Sequence, residues 1–505
     1  MMETATDHTP TDAIASTLSG FVHGLRLEQV PPEVSLRARH LMLDAIGCAM
    51  AARREDFADR FTNAVHALGA DVEGGRSAVI GQARRLPLRD AALLNGVLTH
   101  GLDYDDTHMA GVIHLSVSVL PAVLALAGRR RASGAEMLVA YIAALEAGAR
   151  ISSVTKSGLH AHGFHPTGVV GAFASSLAAG RVMGLSAKQL VHAQGAALSM
   201  ASGSLQFIED GAWTKRFHPG WAAQAGITAA TFAAHGIAAP QSPYEGRYGF
   251  YRLYLGEAEH AGIDLALATA NLASDGSASR WEIDNVAIKP FPMCHFVHAS
   301  ADAAIALHRR GVDAARIRSV QVRVPAGVVQ AVCEPLANKR RPNSDYDAKF
   351  SLPYAVASGL LRGRLGLKEL EPAAYRDAGA LALMDRVTYE IDADSTFPRH
   401  YTGEVRLVLD DGTILVHRES VNRGHAERPL SNDEVREKFF DNASLHFSRA
   451  HVQAVCDQVL ALDRLDSVER LEDLLAREPD VPAGDRPQVR AASAAQSAPA
   501  TAETR

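Results

Sequence analysis

One stretch of sixteen residues, Thr99 to His114 (THGLDYDDTHMAGVIH), holds three aspartates and three histidines. Asp103, Thr107 and His114 stand beside an apolar run that we expect to be buried, and buried carboxyl and imidazole groups need partners. Carboxylate and imidazole together could bind a metal ion, although the spacing matches no common ligand motif. The aspartates could instead cap a helix, or the cluster could bind substrate and do acid/base chemistry. This stretch alone leaves the three interpretations open.

A second group of histidines precedes a glycine- and alanine-rich helix that is predicted to start near Pro166, in HAHGFHPTGVVGAFASSLAAG. Its members are His160, His162 and His165. A histidine at a helix N-terminus lies beside the positive end of the helix dipole, which favours the neutral imidazole and therefore a base. The N–H groups there could also hold a carboxylate. The alternative is a set of solvated loop histidines, which suits His160 and His162 better than His165.

Three further segments supply cations and a tyrosine. Lys215 stands next to Arg216 in EDGAWTKRFHPGWAAQAG, a group that suits an anionic substrate or, alternatively, a surface turn. Lys289 lies between a predicted strand and two prolines in IKPFPMCHFVHAS, which also contains His295. Tyr354 lies near an apolar helix start in DAKFSLPYAVAS. A tyrosine in such a place is usually a core residue with a satisfied hydroxyl, so Tyr354 alone is weak evidence of a site.

The sequence contains none of the common cofactor motifs: no GxxxxGK[ST], no GxGxxG after a strand, no HExxH and no GxSxG. Its polar clusters supply an aspartate, several histidines, lysines and a tyrosine. This inventory suits abstraction of a proton next to a carboxylate, in which a base takes the proton while cations stabilise the developing enediolate. A general acid then protonates a leaving hydroxide, or carbon if CO₂ leaves.

Composition argues against several classes of protein. The chain has 505 residues, of which 47 % are apolar and 21 % charged, which predicts a globular protein of two or three domains. Its net charge of −6 and the lack of a long basic run argue against nucleic-acid binding. Four widely spaced cysteines form no CxxC, which favours a reducing compartment. The N-terminus lacks a signal-peptide pattern and residues 111–128 predict a buried helix, so we expect a cytoplasmic protein without membrane contact.

The spacing of apolar residues changes along the chain. It is helical over residues 11–277, mixes strand alternation with helical stretches over 278–423, and is helical again over 424–478. Residues 479–505 are rich in Ala, Pro, Ser, Gln and Thr without any period, which predicts a disordered tail. We therefore predict a mostly α protein, with a large helical domain built from both chain ends and a smaller α+β domain inserted into it. A cleft between two such parts is a common place for a small-molecule site.

Six blocks resemble the MmgE/PrpD family in order and spacing: LMLDAIGCAMA, NGVLTHGLDYDDTH, GFHPTGVVGAFASSLAAGRVMGL, DGAWTKRFHPGWAAQAGI, IKPFPMCHFVHASADA and YDAKFSLPYAVASGLL. The resemblance runs over roughly residues 15–470. The family includes 2-methylcitrate dehydratase, cis-aconitate decarboxylase and iminodisuccinate epimerase. The resemblance implies a helical domain from both chain ends with an inserted α+β lid, a homodimer, and no need for a metal or an organic cofactor.

Carried over by position, the resemblance implies a pocket made of Asp103, Thr107, His114, His165, Lys215, Lys289 and Tyr354. Asp103 or His165 is then the proton-abstracting base. The two lysines bind substrate carboxylates and stabilise the enediolate. Tyr354 and His114 are candidates for proton delivery, and Thr107 hydrogen-bonds the substrate.

The chain departs from the decarboxylases of the family at one position. These have a histidine five residues after the lysine that matches Lys289, whereas this chain has Cys294 there, followed by His295. Either His295 takes over or the chemistry differs. We therefore predict a dehydratase that resembles 2-methylcitrate dehydratase and acts on a small hydroxy di- or tricarboxylate. The alternatives are an epimerase or isomerase, a decarboxylase of a related acid, and a carboxylate-binding protein without catalysis.

Overall fold

The computed structural model describes residues 13–70, 75–210, 212–397 and 399–481. The α-helices are α1 Ile14–Gly24, α2 Pro32–Ala52, α3 Asp56–Val65, α4 Leu88–His100, α5 Ser116–Arg130, α6 Gly134–Thr155, α7 Gly158–Ala161, α8 Pro166–Met183, α9 Ala187–Leu198, α10 Phe207–Asp210, α11 Thr214–Ala234, α12 Phe250–His260, α13 His298–Arg309, α14 Val329–Val332, α15 Leu336–Lys339, α16 Asp345–Lys349, α17 Leu352–Arg362, α18 Pro372–Tyr375, α19 Ala378–Arg386, α20 Asn432–Ala443, α21 Arg449–Leu460 and α22 Glu469–Leu475. The strands are β1 Ser77–Val79, β2 Gln82–Leu86, β3 Thr107–His108, β4 Val286–Ala287, β5 Ile317–Val324, β6 Val387–Ile391, β7 Gly403–Leu409 and β8 Ile414–Glu419. The predicted mostly α class is therefore confirmed.

Local signals in the sequence account for where several helices begin. Ser133 caps α6, because its hydroxyl accepts from the Glu136 N–H while the Glu136 carboxylate accepts from the Ser133 N–H. Ser431 and Glu434 form the same reciprocal box at α20. Among the described residues, α6 alone is long and apolar enough to cross a membrane, but 94 % of its apolar window is buried inside the protein, as in a core helix.

The largest sheet has four strands in the order β6-β5-β7-β8. The β5–β6 pair is parallel and the others are antiparallel. The hairpin β7–β8 turns at Asp410-Asp411-Gly412. The strand predicted before Lys289 is limited to β4, which pairs with β3. Glu146 explains the difference, because its carboxylate accepts from the N–H groups of Glu282 and Ile283 and holds them in a turn.

The buried apolar side chains form two clusters. The first draws on residues between Ile14 and Ile288 and between Leu430 and Leu475. The second draws on residues between Phe291 and Leu409 and packs around the four-stranded sheet. The domain boundaries at 277/278 and 423/424 remain predictions. Most of the predicted disordered tail, from residue 482, lies outside the described residues.

Two glycines let α4 and α11 approach closely. A Cβ atom on Gly96 would lie only 2.3 Å from the Cα of Gly220, so neither position has room for a side chain while the backbones stay in place. This contact matters for the site because α4 ends at His100 and Lys215 lies in the first turn of α11. The close packing of small residues thereby brings two charged or titratable groups from distant segments together.

Replacing Gly96 by alanine is expected to lower the thermal unfolding temperature, since the added methyl group must push two helix backbones apart. Overpacking of this kind costs about 1–3 kcal/mol, which exceeds the gain of up to about 1 kcal/mol from better helix propensity. Gly262→Ala is the matched control, because the nearest atom to its Cβ is 3.6 Å away. Equal unfolding temperatures for both variants would contradict the close contact.

Candidate active site

The segment after α4 is held by an unusual set of cations. Each of four consecutive backbone carbonyls accepts from a different basic side chain: Gly101 from Arg216 Nε (3.0 Å), Leu102 from Lys349 Nζ (2.8 Å), Asp103 from Lys289 Nζ (2.8 Å) and Tyr104 from Lys438 Nζ (2.7 Å). The donors come from α11, α16, the segment after β4 and α20. Asp103 itself has a positive φ of 53°, a conformation that costs energy outside glycine. The four contacts fix this strained turn from both sides.

Asp103 lies between two lysines. Its Oδ2 is 2.8 Å from Lys215 Nζ and its Oδ1 is 3.0 Å from Lys289 Nζ. Burial alone would raise the pKa of Asp103, but the two ammonium groups outweigh it and hold that pKa well below its usual value. Lys289 is more enclosed than Lys215, with 3 % against 15 % of its side chain exposed. Asp103 is therefore a fixed anion and a weak base.

Asp105 orients two imidazoles. Its Oδ1 accepts from His100 Nδ1 at 2.9 Å, and its Oδ2 is 3.2 Å from His114 Nδ1. Burial opposes ionisation of Asp105, but the two histidines outweigh it and keep its pKa well below the usual value. Burial lowers the pKa of His100 to about 4, although Asp105 works against this shift. His100 is thus neutral with its proton on Nδ1, and its buried Nε2 has no hydrogen-bond partner among the described residues.

The neighbouring Asp106 has the opposite protonation. Burial, together with the charge of Asp105, raises its pKa to about 8, so this carboxyl group is largely protonated at neutral pH. It forms a hydrogen bond with the Ser116 hydroxyl, which in turn lies 2.6 Å from the Tyr141 hydroxyl. The Asp106 backbone carbonyl accepts from His114 Nδ1 at 2.7 Å. Two adjacent carboxyl groups therefore have different roles, one as a charged orienting group and one as a neutral structural acid.

His165 completes a group of three imidazoles. The ring centroids of His100, His114 and His165 are 4.9, 5.8 and 6.1 Å apart. His165 Nδ1 lies 3.0 Å from His218 Nδ1. Burial, reinforced by Lys215, lowers the pKa of His165 well below its ordinary value and keeps the ring neutral. One ring nitrogen from each of the three lies within 4.8 Å of the others, so these side chains could hold a metal ion.

A cavity of about 170 Å³ opens beside these groups. Pockets for drug-sized ligands usually measure about 300–1,000 Å³, so this one suits a small substrate. Its walls come from three segments of the chain: His100, Gly101, Asp103, Ala212, Trp213, Lys215, Arg216, Ser344, Asp345 and Tyr346. Burial raises the pKa of Tyr346 and keeps its hydroxyl protonated. A larger groove of about 490 Å³ elsewhere contains none of His100, Asp103 and Lys215.

The structure brings most of the predicted site residues into or next to this cluster. Asp103 and Lys215 line the cavity. Lys289 is not part of the cavity wall, but its Nζ contacts Asp103 Oδ1. Thr107 Oγ1 is 3.3 Å from His114 Nδ1. The pairing of β3 with β4 explains why Lys289, two residues beyond β4, reaches the turn after α4.

Two other predicted residues make different contacts. The Tyr354 hydroxyl donates to the Glu369 carbonyl, and the ring lies in the second apolar cluster. Its proposed part in proton delivery stays a prediction, and Tyr346 is the tyrosine that lines the cavity. His295 Nε2 accepts from the Asn422 amide at 3.0 Å. Burial, followed by the charges of His298 and Lys289, lowers the pKa of His295 well below its usual value.

Sequence reasoning did not single out three residues that the cavity adds or depends on: His100, Asp105 and Tyr346. His100 and Asp105 are part of the acid- and histidine-rich stretch itself, at i and i+5. Their pairing depends on the turn between them, which follows from the cation contacts rather than from a local motif. Tyr346 stands near Tyr354 in the same sequence block, and no local signal separates the two.

Comparison with known protein families agrees with this fold and site. The chain matches the MmgE/PrpD N-terminal domain over residues 16–262 and the MmgE/PrpD C-terminal domain over residues 291–462. Together these matches cover most of the chain. The protein belongs to the MmgE/PrpD family.

Similar proteins carry the names of enzymes that act on a carboxylic acid. The chain is 27 % identical over 493 residues to a cis-aconitate decarboxylase-like protein, oryM, of Aspergillus oryzae, covering 94 % of this chain and 100 % of that relative. It is 28 % identical to the cis-aconitate decarboxylase of Mus musculus, covering 92 % and 93 % of the two chains. The Homo sapiens cis-aconitate decarboxylase is 29 % identical, with 92 % and 94 % covered.

Proposed function

We propose that this protein is a cofactor-independent lyase that dehydrates a small hydroxy di- or tricarboxylate by abstracting a proton next to a carboxylate. One observation carries the proposal. His100, which is oriented by Asp105 and retains a free Nε2 lone pair, lines the same small cavity as Lys215 and Arg216. A neutral base beside two cations is the arrangement that this chemistry needs.

The contacts favour a division of roles that differs from the sequence-based one. We assign proton abstraction to His100, since Asp103 is already neutralised by two lysines and has a low pKa. The resulting imidazolium is stabilised by Asp105. Lys215 and Arg216 bind the substrate carboxylate and stabilise the enediolate. The protonated hydroxyl of Tyr346 supplies the proton with which the substrate hydroxyl leaves as water, and the electron pair left on carbon forms the double bond.

Decarboxylation of cis-aconitate is the second candidate. The relatives described above are named for that reaction, and the chain matches them over nearly their whole length. In that reaction the electron pair of the breaking C–C bond forms a new double bond, CO₂ leaves, and an acid delivers a proton to carbon. Cys294 argues for dehydration instead. The decarboxylases that the chain resembles have a histidine there. Burial raises the pKa of the Cys294 thiol to about 11, which keeps it protonated, so it cannot replace an imidazole as a proton acceptor near neutral pH.

The proposal also includes a homodimer, as the family resemblance implies, and a location in the cytoplasm, as the wide spacing of the cysteines favours. Light scattering on the purified chain would test the dimer, with a mass near 54 kDa contradicting it, since one chain has a mass of 53.8 kDa. This measurement is independent of any activity.

Proton NMR in D₂O tests the reaction. Chelator-treated protein is incubated with 2-methylcitrate, citrate, cis-aconitate, and malate-type and tartrate-type hydroxy acids. We expect new alkene signals from one hydroxy acid and none with His100→Gln. Loss of CO₂ from cis-aconitate would establish the second candidate, and deuterium uptake without net product would establish an isomerase. Unchanged spectra with every acid, together with saturable binding of one of them, would overturn the enzyme assignment in favour of a binding protein.

A further inference from the structure

The three imidazoles of the site share a feature that proton transfer alone does not require. Each ring has its Nδ1 engaged: His100 with the Asp105 carboxylate, His114 with the Asp106 carbonyl, and His165 with His218. Because a carboxylate and a carbonyl can only accept, the protons of His100 and His114 must be on Nδ1. The buried Nε2 of His100 has no hydrogen-bond partner among the described residues and is free to bind a ligand.

This is the arrangement that protein metal sites use. A metal-ligating histidine binds through one nitrogen and donates its other N–H to a carboxylate or a backbone carbonyl, which fixes the tautomer. Three histidines are a sufficient protein ligand set for zinc, with Zn–N distances of about 2.0–2.1 Å and a fourth position open. One nitrogen from each of His100, His114 and His165 already lies within 4.8 Å of the others. Ligation requires these atoms to close by up to about 1.4 Å, because nitrogens around a tetrahedral zinc ion are about 3.4 Å apart.

We propose that His100, His114 and His165 form a binding site for a divalent transition-metal ion of the zinc type, and that this ion inhibits the protein. The ion uses the Nε2 lone pair of His100 that would otherwise accept the substrate proton. Imidazole ligands favour zinc, cobalt and similar ions over magnesium or calcium. The charges nearby permit binding, since Asp103 and Asp105 balance Lys215 and Lys289. The inhibition rests on the proposed function, but the binding does not.

A second histidine cluster in the described residues does not have this arrangement. His400, His425 and Glu427 also present ligand atoms within 4.8 Å of one another. However, His425 Nδ1 accepts from the Glu427 N–H, and a backbone hydrogen bond with Arg399 adds a further contact to the same side chain. The Glu427 carboxylate is paired with Arg399 at 2.8 Å. His400 Nε2 lies 3.1 Å from the same carboxylate. Because Arg399 already pairs with this carboxylate, the cluster serves as the internal control.

The test is titration of the chelator-treated full chain with cobalt chloride, followed by visible absorption and competed with zinc chloride. We expect one ion per chain and the absorption bands of cobalt with nitrogen ligands. His165→Gln should weaken cobalt binding by at least roughly tenfold, and Asp105→Asn by about tenfold through loss of the orienting carboxylate. His400→Gln should leave the affinity unchanged. X-ray absorption of the zinc-loaded parent should show three imidazole ligands, a measurement that needs no variant.

Several outcomes separate this proposal from the lyase proposal. Lack of saturable cobalt binding, or loss of binding in His400→Gln with retention in His165→Gln, would overturn the metal site whatever the activity. Metal binding without turnover of any acid would support the metal site and contradict the lyase proposal. If the protein turns over a substrate, zinc should reduce the rate in the parent by at least roughly tenfold at saturation. Undiminished turnover by zinc-saturated protein would disprove the inhibitory role.

Discussion

Lys215→Ala is expected to lower kcat/KM by roughly a hundredfold to a thousandfold, the usual effect of removing one preorganised group that stabilises transition-state charge. Lys215 lines the cavity and is the more exposed of the two lysines that contact Asp103. Its loss removes the cation that faces the substrate and leaves the Asp103 carboxylate with a single partner. Steady-state kinetics with the acid identified by NMR would measure the effect.

Two further variants distinguish the role of Lys215 from general damage. Lys188→Ala removes a lysine at the start of α9, outside the cavity, and should leave kcat/KM unchanged. Lys215→Arg keeps the charge and should recover part of the loss. If Lys215→Ala turns over substrate at the parental rate while remaining folded, Lys215 does not bind the reacting carboxylate.

The adjacent residues Asp105 and Asp106 predict opposite results for the same substitution. Asp105→Asn is expected to lower kcat by roughly a hundredfold to ten-thousandfold, the range that general acid–base catalysis contributes. An asparagine amide can donate to His100 Nδ1, which moves the imidazole proton to Nε2 and removes the lone pair needed for proton abstraction. Asp106→Asn replaces a largely protonated acid by a neutral amide of similar shape, so kcat should change by less than about threefold.

Asp106 also predicts a pH dependence of stability. Its folded-state pKa of about 8 exceeds the ordinary value of 3.8, so between these values the folded chain holds a proton that the unfolded chain releases. Stability conferred by this group is therefore lost as pH rises through that window. Asp106→Asn removes the titration, so its unfolding temperature should rise relative to the parent between about pH 5 and pH 8.

The results for Asp105→Asn and Asp106→Asn together test whether the two carboxyl groups have different protonation states. Equal loss of activity in both variants would mean that the two carboxyl groups are not differentiated as the contacts indicate. A stability difference that stays constant between pH 5 and pH 8 would show that Asp106 is ionised in the folded protein. A shift in the pH profile of kcat in Asp105→Asn, with normal unfolding, would support an orienting role over a structural one.

The helical body was predictable because its signals are local. A helix start is encoded within four residues by the capping boxes Ser133–Glu136 and Ser431–Glu434. The helical spacing of apolar residues then predicts that the helix continues. The strand predicted before Lys289 is shorter than expected for the opposite reason. The Glu282 N–H donates to the carboxylate of Glu146, which lies 136 residues earlier, so the local sequence pattern does not indicate this contact.

The fold class, the family resemblance and the segments that carry the chemistry follow from the amino-acid sequence, since residue types and spacing are sufficient for these. Which member of each segment faces the cavity, and in which protonation state, follows from the three-dimensional packing. Tyr346 rather than Tyr354 lines it, and Asp105 rather than Asp106 is charged. Burial and partners decide such differences, and the partners lie far away in the chain, where no local pattern reports them.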